Sequence, residues 1–371
     1  MFQRLRDRKL LDAYERGYAL QQEYLGTDKP VNRIEPLVSV CTITYQHAPF
    51  IRQCLDSILM QETDFPWEFI IGEDGSTDGT REICIEYAER HPDRIRLFLR
   101  DRSLSQYQEG DRTIRFNGHW TRRATRGKYI AICEGDDYWT DPKKLQKQVS
   151  FLESHPYHTM CFHNVVVIRD MGEIDSWHAY GEEMKPDYGW EDLCTHNFVQ
   201  TCSVMYRVCS FPRSSNASWM RLPMGDWAAW IQLAMNGPIA YLPDLMGTYR
   251  QHEGGVWTRL TERERCEGRL SFLVAIRREL RLQVKTLDDN IRRTQRHLIA
   301  FLRENANSRD ASHQAKRLVL SSSFRDLFIE RPWSLGLLSI YLRGEFPFLW
   351  SILKWCYNKA RSALRYLVAS F

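Results

Sequence analysis

Leu37-Val38-Ser39-Val40-Cys41-Thr42-Ile43-Thr44-Tyr45-Gln46-His47 is the stretch on which the fold turns. Its first part, Leu37 to Ile43, is a short β-rich apolar run of the kind a strand buried inside a parallel sheet displays. It then breaks into polar residues, and a helix pattern follows with Ile51, Leu55, Ile58 and Leu59 on one face. The same alternation recurs downstream. Phe69-Ile70-Ile71 reads as a strand, 78–90 as a helix, and Ile95 to Leu99 and Tyr129 to Cys133 as strands. Strands alternating with helices imply βαβ units and a mainly parallel α/β sheet flanked by helices. Upstream, 3–25 reads as a charged helix ending at Gly26 and Pro30. Downstream, 143–155 reads as a helix, Val165 to Ile168 as a strand, and a further helix starts near Gly225.

In such a sheet ligands bind beyond the carboxyl ends of the strands. Three of those ends are polar: Thr44-Tyr45-Gln46-His47, Glu73-Asp74-Gly75-Ser76-Thr77-Asp78-Gly79-Thr80 and Glu134-Gly135-Asp136-Asp137-Tyr138-Trp139. Glu134, Asp136 and Asp137 crowd three carboxylates into four residues, a repulsion that a hard divalent cation relieves. An acidic turn with Asp137 or Asp141 capping the next helix is the alternative. The second segment is neither a Gly-x-Gly-x-x-Gly fingerprint nor a P-loop, which weakens dehydrogenase and NTPase readings. There Asp74 offers a carboxylate to a base N–H or a ribose, while Asp78 or Thr77 suits a helix cap.

The chain has 371 residues, 43% of them hydrophobic and 26% charged, which is globular rather than disordered or polytopic. Its 51 basic and 47 acidic residues balance too closely to imply a nucleic-acid partner. The basic surplus sits in the last third, where Thr258 to Phe371 holds 22 Lys/Arg against 11 Asp/Glu. The 10 cysteines form no Cys-x-x-Cys pair, and the first residues lack the apolar stretch of a signal peptide, so a cytoplasmic setting with reduced thiols is expected. No run reaches the ~18–20 apolar residues of a spanning helix. In the last segment, Trp350, Trp355, Phe348 and Leu353 alternate with Lys354, Lys359, Arg361 and Arg365. That is the composition of a helix lying on an anionic membrane surface, or else of a packed helical or dimer face.

Val38-Ser-Val-Cys-Thr-Ile-Thr-Tyr-Gln, Gly72-Glu-Asp-Gly-Ser-Thr-Asp-Gly-Thr and Ala131-Ile-Cys-Glu-Gly-Asp-Asp-Tyr-Trp-Thr-Asp-Pro resemble, in order and spacing, the signature segments of family 2 glycosyltransferases with the GT-A fold. The likeness runs from Pro36 to His252. It implies an α/β GT-A domain over 36–257, preceded by a helical appendage (1–35) and followed by a basic helical region (258–371). It further implies a metal-dependent inverting transferase of hexosyl or N-acetylhexosaminyl type, moving sugar from a nucleotide-diphosphate donor to an envelope glycan or lipid-linked acceptor. UDP is the default nucleotide.

By the same resemblance Thr44, Tyr45 and Asp74 face base and ribose, and Glu134-Gly135-Asp136 stands as the DXD segment meeting ribose and metal. Asp136 would ligate Mn²⁺ or Mg²⁺, with Asp137 facing either metal or acceptor. Asp226, opening a helix after Met224-Gly225, would be the general base, its alternative being an N-cap. Arg250 would bind donor phosphate and His252 phosphate or metal. Gly254, Gly255 and Trp257 read as a loop closing over the donor. One of Arg112, Arg115, Arg122 and Arg123 faces the donor or all are surface. A nucleotidyltransferase of the same fold and a non-catalytic carbohydrate- or membrane-binding scaffold are the competing readings.

Overall fold

The computed structural model describes residues 2–304, apart from 111, 170–172, 177–183, 212–216 and 281–283. Helix α1 (Phe2–Leu20) precedes β1 (Val38–Thr44), α2 (Ile51–Leu59), β2 (Trp67–Glu73), α3 (Thr80–Arg90) and β3 (Ile95–Leu99). A hairpin of β4 (Gln106–Glu109) and β5 (Arg112–Arg115) leads into α4 (Asn117–Arg123), β6 (Tyr129–Ile132), β7 (Tyr138–Trp139) and α5 (Lys144–Ser154). Then come β8 (Met160–Arg169), β9 (Glu173–Ser176), β10 (Asp187–Tyr188), α6 (Trp190–Leu193), β11 (Met205–Arg207), α7 (Ala217–Met220), α8 (Gly225–Met235) and β12 (Ile239–Gln251). Helices α9 (Glu262–Leu280) and α10 (Lys285–Glu304) close the described chain.

The main sheet runs β10-β12-β8-β11-β6-β1-β2-β3, with β7 beside β12 and β9 beside β8. Its first half, β6-β1-β2-β3, is parallel, as the alternating pattern predicts. The second half is mixed: β11 is antiparallel to both β6 and β8, while β12 runs parallel to β8.

The two faces of the parallel half differ in chemistry, because successive side chains of a strand point to opposite sides. Val38, Val40, Phe69, Ile71 and Leu97 form one apolar face under Ile51, Leu55 and Ile58 of α2 and Leu145, Val149 and Leu152 of α5. The other face is also buried, and beside Ile70 and Phe98 it carries a polar network. Ser39 donates to Glu68 (2.6 Å), which also takes Arg96 (3.1 Å) and Arg126 (2.7 Å), and Arg100 reaches the Asn117 carbonyl (2.8 Å) and Thr121 (2.7 Å) of α4. Gly72 makes that possible, since a Cβ there would collide with Arg100 and Thr121.

Helix α1, expected as an appendage, is instead part of this body. Leu10 and Tyr14 are buried with Ile114, Phe116 and Trp120, and a Cβ at Gly17 would stand 2.6 Å from the Trp120 ring. It stops at Leu20 rather than near Leu25, because Glu23 bridges Phe98 and the Tyr24 N–H donates to the Leu97 carbonyl (2.7 Å). Those extended residues cover the otherwise open edge of β3.

Contacts divide the chain into two compact units, one of Met1–Arg259 with Ala275–Thr286 and the other of Leu260–Val274 with the chain from Leu287. In the second, Phe272, Leu273, Leu287, Ile291 and Leu298 are buried. No helix among the described residues is long and apolar enough to cross a membrane. The aromatic and basic segment Leu335–Phe371 lies outside the described residues.

Candidate functional site

Parallel register brings the ends of β1, β2 and β6 together. Thr44 lies opposite Glu73, and the N–H groups of Cys133 and Gly135 donate to the Cys41 and Ile43 carbonyls, both at 3.1 Å. The loops after β1 and β2 are then sewn to each other. Gln46 receives the Thr77 N–H on Oε1 (2.7 Å) and donates its own N–H to Ser76 Oγ (3.0 Å). His47 N–H donates to Thr80 Oγ1 (2.8 Å) and Ala48 N–H to Asp78 Oδ2 (3.0 Å). Those bonds hold Gln46, a non-glycine residue, at φ +57°. Asp78 also receives the Thr80 N–H (3.1 Å), so it is a turn and helix-start residue rather than a ligand.

Asp74 and Tyr45 form the first half of the site. Asp74 is 4% exposed and accepts bonds from Ser105 Oγ and Arg102 Nη1 (2.7 Å). Burial pushes its carboxyl up, against the downward pull of Ser105 and Arg102. The Arg102 guanidinium also covers the Tyr45 ring, 3.4 Å from its centroid. Of the four upstream arginines, Arg115 shares the electrostatic surroundings of Arg102, Asp74 and Tyr45. Arg123 pairs with Glu15 (2.8 Å) and Arg112 lies opposite Glu109, whereas Arg122, beside His119 and Phe211, lies within the electrostatic reach of Asp226. Arg102 and Ser105 follow the end of β3, a fourth strand end that the sequence reading passed over although the rule for parallel sheets covers it.

The carboxylate turn after β6 forms the second half. Gly135 lies so close to Thr44 and His47 that a Cβ would stand 2.6 Å from Thr44 Oγ1 and 2.9 Å from His47 Nδ1. His252 Nε2 lies 3.1 Å from Asp136 Oδ2, and His47 Nε2 lies 3.8 Å from the same oxygen. Burial raises the Asp136 carboxyl, but the His252 hydrogen bond and the field of His47 outweigh it and leave it below its ordinary value. Glu134 behaves oppositely: burial first, then the charges of Asp136 and Asp226, push it up to about 8. Tyr249 is raised by burial and by Asp137, Glu134 and Asp136.

Asp137 is turned into the fold. It is 1% exposed, and its Oδ1 receives the Arg250 N–H (2.8 Å). Arg250, expected on a phosphate, is 7% exposed and acts as a strut. Its Nε donates to the Asp136 carbonyl (2.9 Å), its Nη2 to Gln53 Oε1 (2.8 Å), and its guanidinium sits 4.6 Å from the Phe50 ring centroid.

Asp226 stands in the first turn of α8, partly buried, and receives Asn197 Nδ2 at 3.2 Å. Burial raises its carboxyl, opposed by the helix-start N–H groups, Asn197 and Arg122. After His252 the chain turns tightly, with Gly255 N–H donating to the His252 carbonyl (2.9 Å) and Val256 and Trp257 exposed. Among the described residues, two groups bring three donor atoms within 4.8 Å of one another: His47, Asp136 and His252; and Glu134, Asp136 and Asp137.

Residues 39–108 match the family described as Glycosyl transferase family 2. An uncharacterized protein of Mycobacterium tuberculosis is 40% identical over 225 residues, covering 59% of this chain and 60% of that relative's length, less than two thirds of it. EpsJ of Bacillus subtilis, named an uncharacterized glycosyltransferase, is 39% identical over 103 residues, 28% of this chain and 27% of EpsJ. Among solved structures, S. aureus TarS 1–349 aligns with a TM-score of 0.44 and 17% identity, covering 83% of this chain and 80% of that one.

Proposed function

From the match of residues 39–108 to glycosyltransferase family 2 we propose that the α/β domain of this chain is a member of that family and transfers a sugar, with inversion, from a nucleotide-diphosphate donor to a hydroxyl of a glycan or lipid-linked acceptor. One juxtaposition supports the reading: Glu134, just after β6, lies beside Asp136 on its own turn and within the electrostatic reach of Asp226 in the first turn of α8, so the donor side and the base side meet at Glu134. The donor set suits a divalent ion, because carboxylates and imidazoles gather there, and burial together with the charges of Asp136 and Asp226 raises the Glu134 carboxyl, a cost that a cation relieves. Asp136 and His252 would hold Mn²⁺ or Mg²⁺, which would supply Lewis-acid stabilisation to a leaving diphosphate.

The protein's own residues do the rest. Asp74 accepts from a base N–H or ribose hydroxyl, and Tyr45 offers an aromatic face to the base, with Thr44 at the floor. Arg115 adds positive charge beside them. Asp226, made more basic by burial, takes the proton of the acceptor hydroxyl as that oxygen bonds to the anomeric carbon from the side opposite the leaving group, which gives inversion without a covalent enzyme intermediate. The loop of Gly254, Gly255 and Trp257 excludes water when it covers the donor.

The test is a panel of UDP- and GDP-sugars with Mn²⁺ and hydroxyl-bearing acceptors. Release of nucleoside diphosphate, coupled to a product of inverted configuration, is expected. Asp226→Asn should retain donor binding and lose ~10²–10⁴-fold in kcat, the range for removing a general base. Donor turnover absent under every pairing would favour a non-catalytic scaffold, and undiminished transfer by Asp226→Asn would remove the base assignment.

A further inference from the structure

We propose that His47 is a protein ligand of the metal, so that the ion is gripped by two imidazoles and one carboxylate, His47, His252 and Asp136, and that this set prefers Mn²⁺ to Mg²⁺. The inference rests on the metal dependence proposed above and goes beyond it. The donor atoms are already gathered: Asp136 Oδ2 lies 3.1 Å from His252 Nε2 and 3.8 Å from His47 Nε2, and all three fall within 4.8 Å. Metal–nitrogen and metal–oxygen bonds of ~2.0–2.2 Å around one ion put neighbouring donors roughly 3–4 Å apart. The separations at Asp136 match that spacing without movement of the backbone.

Each imidazole is aimed by something other than the carboxylate. His47 Nδ1 lies 3.3 Å from Thr44 Oγ1, so the tautomer with its proton on Nδ1 leaves the Nε2 lone pair facing Asp136. Such an outer hydrogen bond is the usual way a ligating histidine is oriented. The His47 backbone is pinned by Thr80, and Gly135 supplies the gap into which His47 and Thr44 close. His252 is 8% exposed and packs on the Phe50 ring, centroids 4.6 Å apart. The two imidazole rings sit 6.0 Å apart at 83°, so they meet edgewise rather than stacked.

The all-oxygen alternative is weaker. Asp137 is buried and gives Oδ1 to the Arg250 N–H, so that only its Oδ2 is left to join Glu134 and Asp136 around an ion. Mg²⁺ favours oxygen ligands and loses water reluctantly, whereas imidazole nitrogen suits transition ions. With three protein donors, Mn²⁺ should bind before any nucleotide arrives.

The experiment uses the full chain, freed of metal by chelation, and MnCl₂ alone as probe. Electron paramagnetic resonance of free Mn²⁺ gives the Kd, and electron spin-echo modulation counts coordinated imidazole nitrogens. The wild type should bind Mn²⁺ at least ~10-fold tighter than Mg²⁺ and show two nitrogens. His47→Ala should show one nitrogen and bind Mn²⁺ ~10–100-fold more weakly, with Mg²⁺ affinity altered far less.

A wild-type spectrum with fewer than two nitrogens, absence of Mn²⁺ binding without nucleotide, or two nitrogens retained in His47→Ala each overturns the proposal. The wild-type spectrum decides even if the variant unfolds. Sugar transfer that persists without the two-nitrogen signal sinks this site and spares the function, while the signal without any transfer does the reverse.

Discussion

Asn197 is a small residue with a specific effect on the chemistry. Its Oδ1 accepts the Val199 N–H (3.3 Å), which fixes the amide so that Nδ2 must face Asp226 Oδ2 (3.2 Å). The bond stabilises the ionised carboxylate, as do the N–H groups of the helix start and the Arg122 guanidinium, while burial and the nearby Glu134 favour the protonated form. If Asp226 is the base, it works only when ionised, so removing the Asn197 bond should move the acid limb of the rate profile to higher pH. For Asn197→Ala we expect transfer at pH 5.5 to fall ~3–10-fold and transfer at pH 8 to change less than about twofold, since a hydrogen bond to a charged group is worth ~1.5–3 kcal/mol and this one is partly solvated. A pH–kcat/KM profile measures it. An equal loss at both pH values would mean that Asn197 merely supports the loop.

Helix α5 begins with a buried cation. Lys144 is fully buried, its ammonium 3.7 Å from the Trp139 ring centroid, and burial pushes its pKa down to about 7 from an ordinary 10.5. A base whose folded pKa is depressed binds fewer protons in the folded state between those two values, so its contribution makes stability rise with pH across about 7 to 10.5. Below pH 7 the folded state carries the whole cost, offset in part by the cation–π contact. Lys144→Met should therefore stabilise the protein by ~1–3 kcal/mol at pH 6, the usual cost of an uncompensated buried polar group, and flatten the rise above pH 7. Urea melts at pH 6 and pH 9 test this, and a variant less stable at pH 6 would refute it.

The elements also show what a sequence discloses. The strands β1, β2, β3 and β6 are legible because strands buried on both sides of a parallel sheet are continuous apolar runs. The second half of the sheet is less so: β11 is three residues long, and β8 begins at Met160, ahead of the buried polar pair His163 and Asn164 that interrupts its apolar pattern. In the site, Asp74, Asp136 and Asp226 stand out as acids at element ends. His47, Arg102 and Ser105 acquire their partners only through register between distant loops, which local patterning does not encode.

At the scale of the whole molecule, charge is the unevenly distributed quantity. Residues 258–371 hold 22 Lys/Arg against 11 Asp/Glu, although the whole chain carries only +4. In the last segment, outside the described residues, Lys354, Lys359, Arg361 and Arg365 alternate with Trp355, Tyr357, Leu364 and Tyr366. A lipid-linked acceptor would place the substrate at a surface that attracts such a segment, each basic residue near anionic lipid contributing ~1 kcal/mol. We expect the full chain to float with vesicles containing phosphatidylserine or phosphatidylglycerol and to do so less as salt shortens the Debye length. Replacing Lys354, Lys359, Arg361 and Arg365 together by Glu should weaken partitioning by ~10³-fold or more, because four attractions become repulsions. Given a soluble acceptor, the same variant should release nucleoside diphosphate from the donor at the wild-type rate, since no residue of the site is touched. Equal flotation of the two proteins, or equal flotation with neutral vesicles, would show that the basic surplus serves packing or a protein partner instead.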